Sequence, residues 1–247
     1  MSPSEKQQQI IRFIAGGSVT LFMLAIIVLT ATTLNRSLSH LLWGMPVIAV
    51  SLLDIYFLSR SLLQKPKTID VRLSSLLIGL GTTFGFSVAV MVLSPQQAAA
   101  GFAADFRLIG VALSLLPYPL VIWALFCLGD CLTVVPEAHA VVAHGPYKYS
   151  RHPLYVCYMV WAFANALMFP TLGMLVAAIA QIVFLLIRLR REESLLLDTF
   201  PEYRHYYERT GLVGPRFRRL APAGDLPEEA NGRVYEYRKT EGRKLRP

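Results

Sequence analysis

Five stretches of this chain are too apolar, for too long, to sit in water, and that limits the fold more than any motif. A bilayer core about 30 Å thick takes roughly 20 apolar residues of helix to cross. The sequence offers such runs at 10–32, 41–59, 73–93 and 108–128, and a longer one at 154–187. The first is longer than a signal-peptide core and no clear small-residue cleavage site follows it, so it reads as a retained helix. Pro117 and Pro119 each remove a backbone donor and should kink the fourth run. The last run would extend roughly 50 Å at 1.5 Å per residue, too far for one crossing, and "FPTLG" at 169–173 interrupts it. It therefore predicts a hairpin that enters the membrane and returns.

Composition agrees. Charged residues are only 16% of the chain, against about 25% in soluble domains, and mean hydropathy is +0.47. The expected fold is an all-α integral membrane protein with four transmembrane helices, a carboxy-terminal helical hairpin and an amphipathic cytoplasmic helix. The expected organisation is amino-terminal helices over 1–129, a core over 130–220 and a flexible tail over 221–247, rich in Pro, Gly and mixed charge. Basic residues cluster at 59–72 (Arg60, Lys65, Lys67, Arg72) and are absent from 94–105. By the positive-inside rule the first loop is cytoplasmic. Counting crossings then puts both termini, and the arginine-rich stretch 188–219, on that side.

The net charge of +8 suggests anionic lipid headgroups or an anionic ligand. No nucleic-acid-binding motif accompanies it, so nucleic acid is set aside. The three cysteines, Cys127, Cys131 and Cys157, imply no disulfide framework. Cys127 and Cys131 lack a partner pair elsewhere, and no metal site is expected.

Two polar clusters mark the membrane boundary: "HAVVAHGPYKYSRHPLY" at 139–155 and "RLRREESLL" at 188–196. A hairpin beginning at Pro153 and ending near Ile187 returns its ends to one face, so His152 and Glu192 should be neighbours. Adjacent glutamates at membrane depth are costly unless a cation or a donor meets them. From Arg188 to about Arg209 the spacing of Leu189, Leu196 and Phe200 reads as an amphipathic helix broken or restarted at Pro201. Asp54, a few residues from the end of the second run, either lines a substrate path or reaches for water and a basic neighbour. Asn165 is expected to bond a neighbouring helix. His144 and His205 read as surface histidines.

Taken in order, His139, Gly-Pro-Tyr-x-Tyr-x-Arg-His-Pro-x-Tyr (145–155), the interrupted apolar hairpin, Arg-x-x-x-Glu-Glu (188–193) and Phe-x-Glu-Tyr-x-x-Tyr (200–206) resemble the isoprenylcysteine carboxyl methyltransferase family and its phospholipid methyltransferase relatives. The resemblance covers roughly 130–217. It implies a membrane enzyme that uses S-adenosylmethionine in a cytoplasmic pocket and takes a lipophilic methyl acceptor from the bilayer. Carried over, His139, Tyr149, Arg151, His152, Tyr155 and Glu193 would form the cofactor pocket. Arg188 and Glu192 would act on the substrate side. The chain departs from the family at Cys157, where glycine is usual. The residue types suit the chemistry, since tyrosine faces attract a sulfonium and carboxylates accept ribose hydroxyls or an ammonium. An amine acceptor would have to lose a proton, with Glu192 or His152 as candidates. A prenylated cysteine carboxylate, which the resemblance favours, a phospholipid amine, an isoprenoid-like lipid and a small thiol all stay open as acceptors. An NADPH-dependent reductase of the sterol-reductase type is the competing enzyme reading, and "RHPLY" and "RREE" argue against it.

Overall fold

The computed structural model describes residues 3–32, 34, 38–70, 72–93 and 103–212. The expected tail at 221–247, most of the loop 94–105 and the motif's end at 213–217 lie outside the described residues. Among the described residues nine α-helices follow one another: α1 (Pro3–Ala31), α2 (Leu38–Leu63), α3 (Leu73–Leu80), α4 (Phe86–Leu93), α5 (Ala103–Leu115), α6 (Tyr118–Leu128), α7 (Pro153–Met168), α8 (Leu172–Thr199) and α9 (Tyr203–Arg209). Five spans among the described residues, Lys6–Ala31, Gly44–Leu63, Leu73–Leu93, Leu108–Cys131 and Leu172–Thr199, are long and apolar enough to cross a bilayer. The shorter apolar α7 pairs with α8. The protein is thus an all-α integral membrane protein. Its outward faces carry exposed Leu21, Val28, Val92, Leu175, Ile179 and Val183, as lipid contact requires.

Where the helices break, the sequence supplies a reason. The span from Leu108 stops at Leu115 and restarts at Tyr118, because Pro117 cannot donate to the α5 ladder. Pro153 starts α7 at the position where its missing N–H costs nothing. Phe169 and Pro170 end that helix, and Thr171 caps α8 by accepting from the Met174 amide at 3.0 Å. The hairpin is as expected. Its second arm, however, runs unbroken to Thr199, so the amphipathic stretch from Arg188 is the last three turns of α8 and not a separate helix. Nothing between Ile187 and Arg188 breaks a helix, and the change is only in side-chain polarity. The break comes at Phe200–Glu202, around Pro201.

A wide turn of π-helix at Gly81–Gly85 joins α3 to α4. The Thr82 carbonyl there accepts from the Gln181 amide of α8 at 3.0 Å, a hydrogen bond buried within the bundle. Small residues allow close packing elsewhere, since a side chain on Gly110 of α5 would run into the backbone of α7 at Ala164 and Met168.

The segment between α6 and α7 has no α-helix, only short 3-10 turns, but is firmly held. Two-residue strands β1 (Thr68–Ile69) and β2 (Glu137–Ala138) pair antiparallel, tying the loop after α2 to this segment. Asp130 takes Arg60 at 2.8 Å and the Gln64 amide at 2.6 Å, fastening the end of α2 to the turn after α6. Gly145 opens a 3-10 turn with φ of +59°, and a Cβ there would meet the Cys127 sulfur. An L-residue in that conformation costs about 1–2 kcal/mol before any clash. Gly145→Ala should therefore lower the thermal unfolding midpoint in detergent, while Gly81→Ala, with open space around it, should not.

Candidate active site

A cavity of about 630 Å³ runs through the helix bundle. Its inner part is walled by Val19, Phe22 and Ile26 of α1, Val47 and Val50 of α2, and Phe86 and Met91 of α4. Its polar end is walled by the two sequence clusters that the hairpin brings together.

Glu193, 8% exposed, is the junction of that end. Its carboxylate accepts from Arg151 Nε at 2.7 Å and stands 3.2 Å from His152 Nε2. Arg151 also donates to the Tyr207 carbonyl at 2.8 Å and to the Thr210 carbonyl, and its guanidinium lies 4.1 Å from the centre of the Tyr207 ring. The Arg151 amide bonds the Gly211 carbonyl at 3.0 Å. One arginine thus holds both hairpin ends and the chain that follows α9. His152 meets Glu193 and not Glu192, because successive helix residues point about 100° apart. Glu192 instead accepts from the Tyr155 hydroxyl. Both glutamates therefore have the donors that their depth requires.

The Tyr155 ring stacks on His152, with 5.2 Å between centres and 7° between planes. Tyr147, Tyr203 and Tyr206 complete the wall, and the Tyr206 hydroxyl donates to the Tyr147 carbonyl at 2.6 Å. Burial pushes the phenols of Tyr147, Tyr203 and Tyr206 above the ordinary tyrosine range, so all three stay neutral donors near pH 7. His139 reaches the cavity while its Nε2 lies 2.9 Å from Glu137. Glu137 in turn pairs with Arg12 of α1 at 2.9 Å, and Arg12 also donates to the Ser61 and Gln64 carbonyls at 3.1 and 3.0 Å.

Of the residues expected here, His139, Arg151, His152, Tyr155, Arg188 and Glu192 line the cavity, and Glu193 anchors two of them. Tyr149 does not come to it: at 56% exposure it points away, while Tyr147, two residues earlier, is buried in the wall. Arg188 does not pair with Glu192. It donates to Thr82 Oγ1 at 3.1 Å and to the Thr133 carbonyl at 2.7 Å, and its Nε is buried without a partner. Cys157 packs against the Pro117 carbonyl, away from the cavity, so its size does not narrow it. Asn165 bonds the Trp161 carbonyl of its own helix at 2.8 Å and lines the cavity, where a bond to a neighbouring helix was expected. Sequence reasoning missed Arg12, Glu137, Tyr147 and Tyr158. Signals for two were present: Arg12 is a lone cation inside an apolar run, and Tyr158 follows Tyr155 by three on one helix face.

Breaking a buried ion pair strands its remaining charge, at a cost of about 3 kcal/mol or more. Arg151→Met and Glu193→Gln should each destabilise the protein by that order. The double variant should lose clearly less than the two together, measured by thermal unfolding in detergent.

Sequence comparison bears on the same stretch. Residues 109–198 match the Isoprenylcysteine carboxyl methyltransferase (ICMT) family, from α5 to the last turn of α8. A cobalt-zinc-cadmium resistance protein of Cupriavidus metallidurans is 35% identical over 81 residues, which is 32% of this chain and 37% of that protein. A nickel-cobalt-cadmium resistance protein of Alcaligenes xylosoxydans xylosoxydans is 39% identical over 79 residues, 31% of this chain and 36% of that one. Methanethiol S-methyltransferase of Pseudomonas deceptionensis is 36% identical over 74 residues, 30% and 28% of the two chains. The chain thus spans at most 37% of the length of these curated relatives. Over the hairpin and the segment before it, which build most of the polar end of the cavity, this protein is similar to the isoprenylcysteine carboxyl methyltransferase family.

Proposed function

We propose that this protein is a membrane methyltransferase that uses S-adenosylmethionine and acts on a lipophilic or small acceptor entering from the bilayer. The observation that carries the reading is one continuous cavity with a polar, aromatic end and an apolar interior. A water-soluble donor suits the first and a lipophilic acceptor the second. The family match and the relative named methanethiol S-methyltransferase support the reaction class.

The residues present fit the donor. Its sulfonium would lie against the faces of Tyr155, Tyr147 or Tyr206, a contact worth about 0.5–2 kcal/mol. Its ammonium and ribose hydroxyls would find acceptors in the Glu192 carboxylate and in carbonyls of the 139–143 segment. His139, held by Glu137, offers a polar edge to its carboxylate. When bound, the donor supplies an electrophilic methyl group on a positively charged sulfur. The protein's part is alignment and exclusion of water. His152 and Tyr155 are fixed by mutual stacking and by the two glutamates, so the wall is built before a ligand arrives. The basic loop at 59–72 supports a cytoplasmic position for this end of the cavity and for both termini.

Calorimetry on the purified protein in detergent tests this. S-adenosylmethionine should bind saturably and NADPH should not. Tyr155→Ala should weaken S-adenosylmethionine binding by roughly tenfold, the loss of about 1.4 kcal/mol, with the helical circular-dichroism spectrum retained. Binding of NADPH alone would favour the sterol-reductase-type reading and contradict this one.

A further inference from the structure

Asp54 sits on α2 among apolar neighbours and lines the cavity. The other charged groups on that lining each have a partner: Glu137 with Arg12, Arg151 and His152 with Glu193, Glu192 with Tyr155, and Arg188 with Thr82 and Thr133, although its Nε is left without one. Among the described residues Asp54 makes no hydrogen bond and no ion pair. A carboxylate left without a partner in an apolar cavity is costly, and it is tolerated where a ligand will meet it.

Its depth is informative. Tyr158 lies one turn of α7 deeper than Tyr155, and Arg188 lies one turn of α8 deeper than Glu192. On α2, Asp54 lies six residues before Arg60, about 9 Å along the helix, and the pair of Arg60 with Asp130 marks the end of α2 at the boundary. Asp54 therefore belongs to a second layer, beneath the proposed donor end and facing the acceptor's side. The same cavity lining carries an aromatic wall: Tyr158 and Trp161 have ring centres 5.7 Å apart, and Tyr118 and Trp161 5.0 Å. A carboxylate beside such a wall suits an ammonium or another proton donor and repels an acceptor carboxylate.

We infer that Asp54 is a catalytic residue that receives the proton of an acceptor whose nucleophilic atom is protic, an amine nitrogen or a thiol sulfur. The assignment of the transferred group rests on the methyltransferase reading above. The N–H or S–H proton passes to the Asp54 carboxylate. The freed lone pair on nitrogen or sulfur forms the bond to the methyl carbon. The bond from that carbon to the donor sulfur breaks, its electron pair staying on sulfur, and the Asp54 proton leaves to water.

The test has two arms. In the first, hexylamine and hexanoate are titrated calorimetrically into wild-type protein without any methyl donor. Hexylamine should bind at least tenfold more tightly, Asp54→Asn should abolish that preference, and Asp54→Glu should keep it. Preference for hexanoate, or an unchanged preference in Asp54→Asn, would overturn the proposal. In the second arm, methyl transfer from S-adenosylmethionine is measured to hexylamine, to hexanethiol and to N-acetyl-S-farnesylcysteine. One of the two protic acceptors should be methylated, and Asp54→Asn should lower that kcat by roughly a hundredfold with S-adenosylmethionine affinity unchanged. Methylation of the carboxylate alone, or of no acceptor by protein that binds the donor, would also overturn it. Protein that shows the Asp54-dependent amine preference but binds no donor would keep the Asp54 site and lose the methyltransferase reading.

Discussion

The polar end of the cavity depends on a buried ion pair that only a returning hairpin can form. Arg151 and Glu193 lie far apart in sequence, and each would be costly at the membrane boundary alone. The turn at 169–171 sends α8 back along α7, so the two charges meet at 2.7 Å. The same arginine collects the Tyr207 and Thr210 carbonyls, which draws α9 and its tyrosines over the opening. That contact adds to the bond from the Tyr206 hydroxyl to the Tyr147 carbonyl in holding α9 over the site. The site is therefore a consequence of closing the hairpin.

Around that junction the charges are layered by depth. Glu193, His152, Glu192 and Tyr155 are fixed to one another near the boundary. One turn deeper, Arg188 is fixed to the wide turn of α3–α4, and Asp54 is left open to the cavity. Arg12 extends the scaffold to α1 through Glu137 and His139, so the amino-terminal helices do more than enclose the core. This division, rigid polar groups at one end and a sparse interior at the other, is what a water-soluble cofactor and an oily or small acceptor would need in one cavity.

Much of this was legible in the sequence, and for physical reasons. Length and hydropathy set the spans, proline placed the breaks at Leu116–Pro117 and Phe169–Pro170, and the return of the hairpin paired the two clusters. What was not legible depended on direction and distance. Whether Glu192 or Glu193 faces His152 is decided by the phase of α8, which residue types alone do not give. Tyr147 and Tyr149 look alike in sequence, and only the 3-10 turn after Gly145 turns one inward and the other out. The bond from Arg12 to Glu137 crosses 125 positions and joins two segments with no shared motif. Asp54 was ambiguous between water and the cavity until the packing of α2 was known.

The most direct test of the central claim is hydrogen–deuterium exchange of the protein in nanodiscs, with and without saturating S-adenosylhomocysteine. If the two ends of the hairpin form one cofactor pocket, amide exchange should slow in both the 139–151 segment and the 200–212 segment, with the lipid-facing turns of α1 unaffected. Protection in only one of those segments, or in neither, would contradict the account.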